Sequence, residues 1–144
     1  EENKMYMYIQ SRYYRAPEVP LGLGVSCAID MWSFACILYE LLTGKPLFRV
    51  NSERELIVAI VGIISIPAED IIKRSSESMR FFRFSKSKES WVLIGKSHDS
   101  NYTPSRNPLT QINKDWENVL TLCLQWDPVN RCLPNDLLSS DYFN

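Results

Sequence analysis

The chain has 144 residues, and its 16 Lys and Arg against 17 Asp and Glu give a net charge of -1. Its length suits one domain with a buried core, and 45% hydrophobic and 23% charged residues exclude general disorder. The balanced charge provides no field for a nucleic-acid backbone or an anionic membrane, so neither is expected as a partner.

Residues 1–25 are predicted to form an extended segment and loop, because prolines and glycines interrupt any helix. The following region, 26–67, is predicted to hold a central helix and a second helix. A nearly all-apolar run over Cys27–Thr43 predicts a helix buried on every side, with Ser26 able to cap its start and Gly44 ending it. A capping box formed by Ser52 and Glu55 begins the second helix, which ends by Pro67.

Residues 68–114 are interpreted as an insert. A helical turn is predicted at Glu69–Arg74, and residues 83–114, rich in Ser, Lys, Asn and Pro, are expected to form a long loop.

Residues 115–144 are predicted to be C-terminal helices. Apolar residues recur there with helical spacing up to Cys123, and Asp115 or Asn113 can cap that helix. Pro134 suits the first turn of a last helix, which Tyr142 and Phe143 would dock onto the core. The whole chain is therefore expected to be mainly α.

The four cysteines and the single histidine do not match the spacing of zinc ligands, so no metal site is predicted. Free thiols indicate a reducing compartment, and we expect an intracellular protein of the cytoplasm or nucleus. No apolar stretch reaches the roughly 18 residues of a membrane span. The first residue is Glu, and the chain is interpreted as part of a longer protein.

Four short strings carry most of the functional information. They are YIQSRYYRAPE at 8–18, DMWS at 30–33, GKPLF at 44–48 and WDPVNR at 126–131. In this order they resemble the C-terminal helical lobe of a eukaryotic protein kinase, in which Ala-Pro-Glu closes the activation segment. The resemblance implies that residues 1–25 are the activation segment and substrate-pocket loop, and that the N-terminal lobe is absent.

The resemblance is closer to the dual-specificity tyrosine-regulated kinases and their homeodomain-interacting relatives. Tyr6-Met7-Tyr8 stands where that family has its Tyr-x-Tyr motif, and Arg80-Phe81-Phe82 is similar to the same group. It implies a parent enzyme that transfers the γ-phosphate of ATP to Ser and Thr of proteins and to its own Tyr. ATP and Mg²⁺ would be its cofactors, and protein substrates and the missing N-terminal lobe its partners.

The chain lacks the Gly-rich loop, the V-A-I-K lysine, the H-R-D loop and the D-F-G motif. Phosphoryl transfer needs the phosphate, metal and acceptor ligands that these motifs supply. We therefore expect no catalytic residue in this chain and no ATP binding by the chain alone. The alternative hypothesis is a non-catalytic kinase-like module that binds proteins. Ala35, where kinases usually have Gly, and Leu133, where the family tends to have a capping Thr, favour that alternative weakly.

Tyr8 is the candidate phosphosite, since Arg12 and Arg15 follow it by four and seven residues. A tyrosine phosphate adds about -1.5 to -2 charge, and guanidinium groups bind its oxygens bidentately. Tyr8 can alternatively be a packed aromatic residue, with both arginines solvated or paired with carboxylates. The resemblance favours the phosphosite at Tyr8 and not at Tyr6.

The resemblance implies roles for five further positions. Ser11 would touch the catalytic aspartate beside the substrate pocket that Arg15 also lines, although it can be an ordinary loop hydroxyl. Glu18 and Arg131 would form a buried ion pair, with Trp32 as a further structural residue. Asp30 would hold the catalytic loop by its backbone amides, or act as a first-turn acid favoured by the helix dipole.

Overall fold

Helices dominate the structure, a computed structural model that describes residues 10–94 and 107–140. The predicted mainly helical fold is confirmed. The helices are α1 (Glu18–Leu21), α2 (Ala28–Thr43), α3 (Glu53–Ile64), α4 (Glu69–Arg74), α5 (Lys114–Cys123) and α6 (Pro134–Leu138). Single 3-10 turns lie at Arg12–Tyr14, Ser78–Arg80, Pro108–Gln111 and Pro128–Asn130. The prediction that no helix forms within residues 1–25 is wrong, because α1 forms between Pro17 and Gly22, which ends it at φ 63°.

The ends of α2 and α3 follow the predicted capping signals with one shift. The Ser26 hydroxyl accepts a hydrogen bond from the Ala28 N–H at 3.3 Å, and Gly44 ends α2 at φ 73°. At α3 the Ser52 hydroxyl accepts from the Glu55 N–H at 3.1 Å. The Glu55 carboxylate, however, accepts from the N–H of Asn51 and not from that of Ser52. The capping box is therefore displaced by one residue on its acidic side.

At the start of each of the last two helices, a polar side chain accepts a hydrogen bond from a backbone N–H group. Asn113 and not Asp115 caps α5, because its side-chain oxygen accepts from the Asp115 N–H at 2.8 Å. Leu133 supplies no side-chain cap to α6. The carboxylate of Asp136 instead accepts from the Leu133 N–H at 2.8 Å, so one exposed donor at this helix start is satisfied.

A β-hairpin replaces part of the predicted long loop over 83–114. Strand β1 (Phe82–Ser85) pairs antiparallel with β2 (Ser90–Leu93), and the rings of Phe84 and Trp91 meet edge to face at 5.8 Å. Strand β1 has two adjacent exposed residues, Arg83 and Phe84, between two buried ones, so it lacks the alternation by which the sequence could reveal it. The predicted docking of Tyr142 and Phe143 lies outside the described residues.

The hydrophobic core surrounds one side of α2. Trp32 and Ala35 are fully buried, and the Trp32 ring stacks on Phe48 at 5.7 Å. The prediction that α2 is buried on every side is wrong for this chain, because Ile37 is 48% exposed and Leu41 is 78% exposed. The apolar composition of α2 indicates that its surface is buried, but it does not identify the surface that covers each side. Across the ranges 10–94 and 107–140, no helix is long and apolar enough to cross a bilayer.

Candidate functional site

Gln10 connects the segment before α1 to α2. Its side-chain oxygen accepts from the Ala16 N–H at 3.0 Å, while its amide nitrogen donates to the Ser33 hydroxyl at 2.6 Å and to the Ile29 carbonyl at 3.1 Å. The Ser33 hydroxyl donates in turn to the Tyr14 carbonyl at 2.8 Å. Gln10 adopts φ 66°, a conformation that costs free energy in a non-glycine residue. Three side-chain hydrogen bonds offset that cost.

Beside this segment lies an open cavity of about 410 Å³ that we call the arginine pocket. The 3-10 turn at Arg12–Tyr14 contributes to one wall, and the start of α3 forms another. Among the described residues, four arginines and one glutamate line it, so this lining carries an excess of positive charge. Its lining residues are Arg12, Arg15, Asn51, Ser52, Glu53, Arg54, Arg80 and Phe81.

Backbone carbonyls position the guanidinium groups of the arginine pocket. Arg12 Nη1 donates to the Asn51 carbonyl at 2.7 Å, and Arg15 Nη2 donates to the Gln10 carbonyl at 2.9 Å. Arg54 donates to the carbonyls of Ile94 at 2.9 Å and Arg80 at 2.7 Å. A carbonyl dipole orients a guanidinium but does not neutralise its charge. The pocket therefore keeps an excess of positive charge with its donors held in place.

Glu53 is the only acidic residue in the described lining of the pocket and lies between two arginines. One oxygen is 3.5 Å from Arg15 Nη1, and the other is 3.3 Å from Arg80 Nη2. Both distances exceed the roughly 2.7–2.9 Å of a strong charge-assisted hydrogen bond. Arg80 also contacts Glu77 at 3.3 Å on the outside. The arrangement can accept a further anion, and a dianion would match its charge better than one carboxylate does.

The structure brings together two predicted site residues and adds three. Arg12 and Arg15 both line the arginine pocket. Tyr8 and Tyr6 lie outside the described residues. The sequence analysis missed the pocket roles of Glu53, Arg54 and Arg80, which approach from α3 and from the turn before β1. Their only sequence signals were the capping box and the Arg-Phe-Phe string, and neither indicates a contact with residues about 40 or 65 positions earlier.

The predicted contact between Glu18 and Arg131 is formed across 113 positions. Arg131 Nη1 and Nη2 donate to the two carboxylate oxygens at 2.8 and 2.9 Å, and both side chains are fully buried. The same nitrogens donate to the carbonyls of Ala28 at 2.7 Å and Gln125 at 2.9 Å. The guanidinium also lies 5.4 Å from the Trp32 ring centre. We call this arrangement the anchor; it ties α1 to the loop after α5.

The remaining predicted residues lie at the surface near these two regions. Ser11 and Asp30 are exposed, and the structure gives their side chains no hydrogen bond to another described residue. The Tyr14 hydroxyl, by contrast, donates to the Glu40 carboxylate at 2.8 Å. That hydrogen bond, together with desolvation and the negative charge of Glu40, raises the pKa of Tyr14 above its ordinary value. Tyr14 is thus a second link between the YIQSRYYRAPE string and α2.

The residues present do not fit Mg²⁺-ATP. No group of three or more His, Cys, Asp or Glu side chains that could hold a metal occurs within 10–94 and 107–140. The arginine pocket has a single carboxylate, which two arginines already contact, whereas Mg²⁺ requires several oxygen ligands in octahedral geometry. The chemistry that the arginine pocket can support is the binding of anions.

The sequence matches known proteins along almost its whole length. The protein kinase domain model matches residues 1–143. The chain is 35% identical over 98% of its length to dual specificity tyrosine-phosphorylation-regulated kinase 2 of Drosophila melanogaster. It is 37% identical over 96% of its length to human dual specificity tyrosine-phosphorylation-regulated kinase 4, and 36% identical over 96% to serine/threonine-protein kinase ppk5 of Schizosaccharomyces pombe.

The chain spans only part of these relatives: 20% of the fly kinase, 27% of the human kinase and 17% of ppk5. Within that part, the strings from the activation segment to the WDPVNR string follow one another in this chain, and the anchor joins the first string to the last. The chain therefore belongs to the protein kinase domain family, in its dual-specificity tyrosine-regulated group.

Proposed function

We propose that this chain is the substrate-docking and regulatory part of a kinase that transfers the γ-phosphate of ATP to Ser and Thr hydroxyls of proteins and to its own Tyr8. Family membership supports the reaction class. The names of the relatives, which describe dual-specificity and serine/threonine kinases, support the choice of acceptors. ATP, Mg²⁺ and an intracellular location belong to the same proposal for the parent. The chain alone, without the nucleotide and metal motifs, neither binds ATP nor transfers phosphate.

The observation that carries the regulatory part is the arginine pocket. Gln10 follows Tyr8 by two residues, and its carbonyl accepts a hydrogen bond from Arg15. Because two residues span at most about 7 Å, chain connectivity would allow a phosphate on Tyr8 to reach Arg15. The paired guanidinium groups would bind its oxygens and hold the phosphorylated residue against the pocket. Ser11, exposed beside the pocket, then remains available to a substrate.

Glu53 competes with that phosphate. Its carboxylate already contacts Arg15 and Arg80 at 3.5 and 3.3 Å. A phosphate with about -1.5 to -2 charge attracts both guanidinium groups more strongly than one carboxylate does. Arg80 and Arg54 would then extend the binding surface beyond the two arginines of the activation segment. Binding of phosphate exchanges partners within an existing cluster and does not build a new one.

Mass spectrometry of the expressed parent, combined with activity assays of Tyr8→Phe and Tyr6→Phe, tests the proposal. We expect phosphate on Tyr8 and a large loss of activity in Tyr8→Phe, while Tyr6→Phe keeps most of the activity. Full activity of Tyr8→Phe, or phosphate on Tyr6 alone, would contradict the assignment.

Isothermal titration of Mg²⁺-ATP into the 144-residue chain tests the proposal that the chain alone does not bind ATP. A submillimolar dissociation constant would contradict that proposal.

A further inference from the structure

Two cysteine thiols face each other where α5 ends. Cys123 is the last residue of α5, and Cys132 directly follows Arg131. Their Sγ atoms are 3.3 Å apart, although nine positions separate them. The Cys132 N–H donates to the Leu122 carbonyl at 3.2 Å, so a backbone hydrogen bond holds the two segments side by side.

A covalent bond between these thiols requires little movement. Sulfur atoms in a disulfide lie about 2.05 Å apart, so the pair needs to close by little more than one ångström. The cysteines extend from neighbouring backbone segments that are already paired, and the loop between them is short. The sulfur atoms therefore start close to the separation of a disulfide.

The two thiols differ in their access to solvent. Cys132 is partly exposed, whereas Cys123 is fully buried. Burial, and secondly the hydrogen bond to Cys132, raise the pKa of the Cys123 thiol well above its ordinary value. An oxidant from solvent consequently reaches Cys132 first, and Cys123 is placed to react with the product.

We propose that Cys123 and Cys132 are a peroxide-sensitive dithiol that closes to a disulfide. The Cys132 sulfur attacks hydrogen peroxide; the O–O bond breaks, an S–O bond forms, and one water leaves. The Cys123 sulfur then attacks the sulfenic sulfur; the S–S bond forms, the S–O bond breaks, and the hydroxyl leaves as a second water with the Cys123 proton. Two thiols lose two electrons in total, and one peroxide is reduced to two waters.

The disulfide would act on the anchor through Arg131. This residue immediately precedes Cys132 and holds the buried Glu18 carboxylate with two hydrogen bonds. A disulfide between Cys132 and Cys123 attaches the backbone next to Arg131 to α5, and α5 packs against α2. We therefore expect the anchor to stay formed after oxidation. The disulfide should also make unfolding around the anchor less favourable, because a cross-link reduces the conformational entropy of the unfolded chain.

Peptide mapping of the 144-residue chain tests the inference. The chain is treated with hydrogen peroxide, unfolded in N-ethylmaleimide and cleaved with trypsin. Cleavage after Arg131 places Cys123 and Cys132 on separate peptides, residues 115–131 and 132–144, which only a disulfide can join. We expect that joined pair, with Cys27 and Cys36 carrying the label. Full labelling of all four cysteines, or a disulfide that involves Cys27 instead, would overturn the proposal.

Three variants separate the steps and provide a control. Cys123→Ser should stop the reaction at a sulfenic acid on Cys132 that dimedone captures, and Cys132→Ser should prevent the disulfide and leave Cys123 labelled. Cys27→Ser removes an exposed thiol outside the pair and should leave the disulfide yield unchanged. Absence of dimedone on Cys132 in Cys123→Ser would contradict the order of steps. A disulfide yield that depends on Cys27 would contradict the pairing itself.

Discussion

The anchor and the arginine pocket contain the same kinds of charged groups and differ in how completely those groups are paired. In the anchor one guanidinium meets one carboxylate at 2.8 and 2.9 Å, both fully buried, with backbone carbonyls accepting the remaining bonds of its terminal nitrogens. In the pocket four guanidinium groups line an open cavity, and two of them, those of Arg15 and Arg80, contact the Glu53 carboxylate at 3.5 and 3.3 Å.

The difference distinguishes a structural contact from a binding site. A buried ion pair is tolerated only where almost every charged group has its partner, and such a pair has little capacity for another ligand. A cluster of like charges held by carbonyl dipoles is electrostatically incomplete, and an anion from outside the cluster lowers its energy. The anchor should accordingly respond to mutation through stability, and the pocket through anion affinity.

The largest expected effect is that of Arg131→Ala on stability. Removing the guanidinium leaves the Glu18 carboxylate buried and uncompensated, which typically lowers the free energy of unfolding by about 3–5 kcal/mol. Chemical denaturation of the purified chain measures this. Arg49→Ala, at an exposed arginine, is the control and should change the free energy by less than about 0.5 kcal/mol. Equal denaturation midpoints for the two variants would show that the anchor does not stabilise the fold.

The second effect concerns anion affinity. Arg15→Lys should weaken the binding of phenyl phosphate, a mimic of the phosphotyrosine side chain, roughly tenfold, because a lysine point charge cannot bind two oxygens at once. NMR titration of the 144-residue chain gives the dissociation constant, and the denaturation midpoint should change little by comparison.

Glu53→Gln is the matched variant for the pocket, since it removes the competing carboxylate and keeps the size of the side chain. It should tighten phenyl phosphate binding severalfold. Identical affinities of the parent chain, Arg15→Lys and Glu53→Gln would mean that the pocket does not bind the phosphate.

The sequence predicted the anchor and only half of the pocket, for physical reasons. Glu18 and Arg131 belong to strings that identify the family, so their contact followed from the resemblance. Arg12 and Arg15 are close to Tyr8 in the sequence, so their grouping followed from spacing. Glu53 and Arg80 reach the pocket from other elements, and only the packing of α3 and of the turn before β1 brings them there.

The same distinction holds for the fold. Strong local signals placed α2, α3 and α4 correctly, because capping residues and helical spacing act within a few residues. The hairpin Phe82–Leu93 was missed, since its pairing is visible only once two short strands meet. The exposed side of α2 was missed for a related reason. Amino-acid composition shows that a helix is apolar, but it does not show which sides of the helix are covered by other elements.

A smaller effect is expected from Gln10→Ala. This variant also tests whether the anchor and the arginine pocket act independently. The change removes the side-chain bonds to Ala16, Ile29 and Ser33, and with them the support for the backbone whose carbonyl orients Arg15. Phenyl phosphate affinity should fall a few-fold, and stability by about 1 kcal/mol. Arg131→Ala and Gln10→Ala should add when combined, if the anchor and the pocket are independent. A clear deviation from additivity in the denaturation data would show that they are coupled.

The smallest effect is one of pH, at the link between Tyr14 and Glu40. The hydrogen bond to Glu40 raises the pKa of Tyr14 above 10.0, so the folded chain holds this proton more tightly than the unfolded chain does. The resulting stability is fully present below pH about 10 and is lost as the pH rises through the higher folded value. Tyr14→Phe should therefore reduce the fall in the free energy of unfolding at alkaline pH. Chemical denaturation between about pH 8 and pH 11, roughly the range in which tyrosine titrates, measures this. Glu40→Gln, which keeps an acceptor and removes the charge, should flatten it less. An unchanged alkaline slope in Tyr14→Phe would show that this hydrogen bond does not form in solution.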